Sequence, residues 1–65
     1  MSKLQAHRKA AGLSQSQLAA KVEGLNLRTL QYYEQGALDI NKAAAVTVYR
    51  LAVALGVPME DLLEL

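Results

Sequence analysis

Residues 12–36 read GLSQSQLAAKVEGLNLRTLQYYEQG, and local chemistry alone marks two short helical segments within them. Ser14 and Gln17 have the Ser-x-x-Gln spacing of a capping box, in which each side chain satisfies a backbone N–H that the helix start leaves free. Leu13 can staple against Leu18, and Leu18, Ala19 and Val22 form an inward stripe that must stop near Gly24. A second start follows at once. Asn26 is a favourable N-cap, Leu25 can staple against Leu30, and Gly36 closes the segment as a residue tolerant of positive φ. Two short capped helices joined by a tight Gly-containing turn form a helix-turn-helix pattern.

At about 100° per residue, Leu27, Leu30, Tyr33 and Glu34 of the second segment share one arc. Arg28, Gln31, Tyr32 and Gln35 occupy the opposite side. Arg28 carries a planar fork that matches the O6/N7 edge of guanine, and Gln31 or Gln35 can bridge the N6/N7 edge of adenine. Tyr32 offers a ring for a thymine methyl and a hydroxyl for a phosphate. These side chains suit a major groove. Any surface helix also has a polar outer face, so a merely solvated side is the competing interpretation of the same pattern.

Working outward, residues 2–11 form a first helical segment ending at Gly12, with Leu4 and Ala11 in line and His7 and Arg8 flanking them. Downstream, Asp39 or Asn41 caps a fourth segment that runs to Leu55, with Gly56 after it. In it Ala44, Ala45, Val48, Leu51, Ala52 and Leu55 are expected to face the core. Pro58 opens a last short helix, with Glu60 and Asp61 in its first turn and Leu62, Leu63 and Leu65 as its apolar contacts. No stretch alternates like a strand. The expectation is an all-α fold: one compact five-helix domain over residues 1–65, its second and third helices forming the helix-turn-helix.

Composition narrows the function. The 65 residues are 52% hydrophobic and 20% charged, with four Gly and one Pro, which is globular rather than disordered. Without Cys, and with His7 as the sole histidine, thiolate chemistry and multi-histidine metal sites are excluded, so neither metal nor cofactor is expected. A chain this short buries only about 60% of its unfolded surface, too little to house a deep cleft. No Ser/His/Asp or paired-carboxylate arrangement can be placed in a pocket, so an enzyme acting on a small-molecule substrate is not expected. No uncharged run approaches the ~18 residues of a membrane span, and the start of the chain lacks the apolar core of a secretory signal. A cytoplasmic location follows as an expectation. Net charge is +1, but residues 1–35 carry +3 and residues 36–65 carry −2. A polyanion should prefer the first half, although bulk charge alone is too small to hold it.

Three runs carry a family likeness: residues 12–19 (GLSQSQLA), residues 28–36 (RTLQYYEQG), and Leu51-Ala52 with Ala54-Leu55-Gly56-Val57. Together they resemble the phage-repressor and Cro-type (XRE) helix-turn-helix domain over nearly the whole chain. The resemblance implies binding of double-stranded DNA, with the third helix, about residues 26–35, in the major groove. It places Leu27, Arg28 and Tyr32 nearest the base edges, with Asn26 and Thr29 beside them, and Gln15 on a phosphate. Gln31 joins the base contacts from its place on the outward side, while Gln17, Gln35 and Lys42 fall among the phosphate or flanking contacts. The resemblance further implies an ion pair between Arg8 and Glu34. The chain supports that pair independently: Glu34 lies on the inward arc near a helix C-terminus, where an anion needs a cation close by.

Departures from the family pattern are visible too. Glu23 lengthens the turn between the second and third helices by one residue, and this is expected to alter how the third helix docks. His7 stands at a position usually apolar, where a half-buried neutral imidazole is expected. Val46, Tyr49 and Val53 lie where the family usually places charges, at a spacing that fits a partner surface such as a homodimer seam. The expected function is therefore a sequence-specific DNA binder, as a bacterial or phage-type transcriptional regulator or as an engineered DNA reader. The alternative is an antitoxin-like interaction or oligomerisation module that uses the apolar side of the fourth helix.

Overall fold

The computed structural model describes residues 2–65. It holds four α-helices, α1 (Lys3–Ala10), α2 (Gln15–Lys21), α3 (Leu27–Gln35) and α4 (Ala45–Leu55), and two single 3-10 turns, Ile40–Lys42 and Met59–Leu62. The described residues contain no strand. Five leucines, one from each α-helix and one from the last 3-10 turn, close the centre: Leu4, Leu18, Leu30, Leu51 and Leu62 are all essentially inaccessible. Ile40 joins them from the other 3-10 turn. Every element thus contributes at least one side chain to a single core, which is how so short a chain removes enough apolar surface from water.

The caps lie where the local spacing puts them. Ser14 Oγ accepts from the Gln17 backbone N–H at 3.1 Å, and Gln17 Oε1 accepts from the Ser14 N–H at 2.8 Å. Asn26 Oδ1 accepts from the Thr29 N–H at 2.8 Å, and α3 ends at Gly36 with φ +80°. Between α2 and α3 the chain leaves the core at Glu23. Val22 turns extended yet stays buried, Glu23 is exposed, and the Leu25 N–H closes the turn on the Val22 carbonyl at 3.2 Å. Gly24 supplies the positive φ (+82°) that this turn needs, a conformation costly for any residue with a Cβ. Arg50 of α4 donates to the Glu23 carbonyl at 3.2 Å and so ties the lengthened turn to the body of the domain.

Several expectations need correction. The fifth helix is a 3-10 turn: Pro58 precedes only four helical residues before Leu63 turns extended, and the bonds formed are of the i→i+3 kind. The fourth helix starts at Ala45, because Asp39 caps the Ile40–Lys42 turn and Ala43 and Ala44 are extended. Asn41 is no helix cap; its carboxamide pairs with the Glu64 backbone, accepting from N–H at 2.8 Å and donating to C=O at 3.1 Å. Ala44 and Ala45 are consequently exposed at the start of α4, while Val48, Leu51 and Ala52 are buried as its periodicity requires. Held at Glu64, the chain turns outward, so Leu65 is 92% exposed and adds nothing to the core.

Candidate nucleic-acid interface

Helix α3 has two sides of opposite character. Leu30 and Glu34 are buried, Tyr33 packs partly against the core, and Arg28, Tyr32 and Gln35 are exposed. Leu27 departs from the inward arc: it is 39% exposed. That places its apolar side chain beside Arg28 on the accessible side. Arg28 Nη1 donates to Tyr32 Oη at 3.0 Å, and its guanidinium carbon lies 5.9 Å from the Tyr32 ring centroid. A pair one helical turn apart, joined by a hydrogen bond and a cation–π contact, holds the fork extended along the helix rather than free in solvent.

Beneath this side lies the Arg8–Glu34 ion pair. Arg8 Nε donates to Glu34 Oε2 at 2.7 Å and Nη2 donates to Oε1 at 3.1 Å, while Nη1 donates to the Leu13 carbonyl at 2.9 Å. One guanidinium therefore fastens α1 to α3 and to the loop before α2. Gln15, the first residue of α2, donates from Nε2 to Glu34 Oε1 at 3.0 Å and accepts at Oε1 from Gln31 Nε2 at 3.3 Å. No buried side-chain nitrogen or oxygen among the described residues lacks a partner.

A family model described as helix-turn-helix matches residues 4–62. The chain belongs to this family, in its XRE-type branch. No curated protein and no solved structure is a significant match to the chain. Membership makes this helix-turn-helix domain a member of a DNA-binding family that is not normally enzymatic. Among the described residues, no helix is long and apolar enough to cross a membrane.

Within the helix-turn-helix domain, Leu27, Arg28, Gln31 and Tyr32 lie together on α3, and Gln15 joins them through Gln31. Asn26 and Gln17 are exposed but each uses its side-chain oxygen in a cap, which leaves only the amide NH2 for a ligand. Thr29 is half-buried, and Gln35 is exposed at the far end of α3. Lys42 stands apart: it is exposed, and it belongs to the 3-10 turn rather than to the start of α4. His7 is half-buried. Val46, Tyr49 and Val53 are 51%, 57% and 62% exposed along α4, and Tyr49 and Val53 line an open groove of about 510 Å³ together with Lys21, Glu23, Arg50 and Ala54. The links from Gln15 to Glu34 and Gln31 had no signal in the sequence, because they span 19 and 16 residues and depend on how α2 crosses α3.

Proposed function

We propose that this domain binds double-stranded DNA sequence-specifically by laying α3 in the major groove, and acts as a transcriptional regulator. Leu27, Arg28, Gln31 and Tyr32 meet base edges, with Arg28 bridging guanine O6 and N7. Gln15, Gln17, Asn26, Thr29, Gln35 and Lys42 contact or flank phosphates and set the register. The observation that carries this proposal is the division of α3: Leu30 and Glu34 are sealed inside, while the fork and ring beside them are left accessible.

Selection from a randomised duplex pool tests it, since one experiment reports motif, affinity and half-site symmetry. Arg28→Ala is expected to weaken binding to the selected duplex by about 1–3 kcal/mol and to relax one base pair. Unchanged selectivity would remove Arg28 from the readout.

A single copy with net charge +1 has little long-range attraction for DNA. Val46, Tyr49 and Val53 supply a way to double it. A two-fold seam along α4 would set these residues against their own copies, with Lys21 and Glu23 at its edge able to pair across the axis. In that arrangement Val53→Glu leaves the folded monomer intact and weakens self-association, which sedimentation equilibrium with and without duplex resolves. Identical association of the two proteins would exclude α4 as the seam.

A further inference from the structure

We propose that Gln15 is a specificity-determining positioning residue: anchored on the buried Glu34 carboxylate, it sets the orientation of the Gln31 carboxamide so that Gln31 reads adenine and rejects guanine. The inference rests on the placement of α3 in the major groove.

The chain of donors and acceptors has one polarity. Both Glu34 oxygens already accept from Arg8, and the Glu34 side chain is only 2% exposed, so this end is fixed and can only accept. The end of the Gln15 carboxamide that faces it must be the NH2, which donates to Oε1 at 3.0 Å. Gln15 Oε1 is thereby turned away from Glu34, where only a donor can meet it. Gln31 does so with Nε2 at 3.3 Å. A buried charge pair thus dictates, through two amides, which way round a half-buried residue of the reading helix sits.

The consequence for recognition is a matter of counting donors. A free glutamine has an acceptor oxygen and two N–H donors, and can present either acceptor-plus-donor or both donors to a base. With one N–H of Gln31 held by Gln15, its oxygen and a single N–H remain. That pair matches adenine, which shows an N6–H donor beside the N7 acceptor. Guanine shows two acceptors, O6 and N7, and needs the donor that Gln15 has taken. Gln15 therefore affects a base that it does not touch.

The test compares wild type, Gln31→Met and Gln15→Met by selection from a randomised duplex pool, with circular dichroism to show that each is folded. Wild type is expected to prefer adenine over guanine at one base pair by on the order of tenfold, and Gln31→Met to lose that preference. Gln15→Met keeps Gln31 but frees its second N–H, so the adenine-to-guanine ratio falls towards one at that base pair. If Gln15→Met weakens every duplex equally and the ratio holds, Gln15 is a phosphate contact only and the inference is wrong. It is also wrong if Gln31→Met leaves the motif unchanged. Should wild type select no motif at all, the placement of α3 on DNA fails instead, a separate and recognisable result. A measurement without DNA or variants completes the test: the Gln31 side-chain NH2 is expected to show 15N relaxation as restrained as its backbone, and free rotation there would overturn the relay.

Discussion

Glu34→Ala is expected to lower the unfolding free energy by about 3–5 kcal/mol, read as a shift in the urea midpoint. The magnitude follows from what stays behind. Arg8 is 8% exposed, and its guanidinium gives two hydrogen bonds to Glu34 and one to the Leu13 carbonyl. Removing the carboxylate leaves a largely buried cation with a single carbonyl for company. It also frees the Gln15 amide from its anchor. A domain of 65 residues has a stability of roughly 3–10 kcal/mol, so this one truncation removes between about a third and all of it. Replacing both partners by apolar residues, Arg8→Met with Glu34→Leu, should recover much of the loss, because no uncompensated charge remains. A loss below about 1 kcal/mol for Glu34→Ala would mean that the pair behaves as a solvated surface bridge.

The ion pair also shows why parts of this fold were legible in the sequence and others were not. Arg8 and Glu34 could be matched because each is unusual where it stands: a cation on an inward flank, and an anion on an inward arc at a helix C-terminus. Caps were equally legible. Ser14 with Gln17, Asn26 with Thr29, and Gly36 act within three residues, so spacing alone specifies them. What failed depends on contacts between distant segments. Asn41 resembles a helix cap in one dimension, but its carboxamide is engaged by the Glu64 backbone, while Asp39 caps a separate 3-10 turn and α4 starts only at Ala45. Leu27 belongs to the apolar arc by angle, yet angle says nothing of how far along α3 the core extends.

The same separation of angle from depth bears on the candidate site. Arg28 and Tyr32 could be placed on the outward side by periodicity, and they lie there, joined to each other. Periodicity puts Gln31 on that side too, but a helix wheel does not show that α2 passes close enough for Gln15 to hold its amide. Side was legible; engagement was not. Arg50 and Glu23 repeat the point, since only the folded chain brings α4 under the lengthened turn.

Leu30→Ala is expected to cost about 2–5 kcal/mol of stability, the range for truncating a leucine inside a close-packed core. Leu30 is 0% exposed and sits on α3 between Arg28 and Gln31, with its side chain on the opposite side of the helix from the proposed readout. The value should fall high in that range, because α1, α2, α4 and the last 3-10 turn all send a fully buried leucine into the same core and none can collapse into the gap without disturbing the others. On DNA the variant separates stability from recognition. Its apparent affinity should fall by the fraction of chains left folded, while the selected motif stays that of wild type. Arg28→Ala should do the reverse, moving the motif and leaving the unfolding free energy within about 0.5 kcal/mol of wild type. If a folded Leu30→Ala protein instead selected a different motif, the inner and outer sides of α3 would not be energetically separable. Base choice would then depend on how the helix is seated as well as on the side chains it presents.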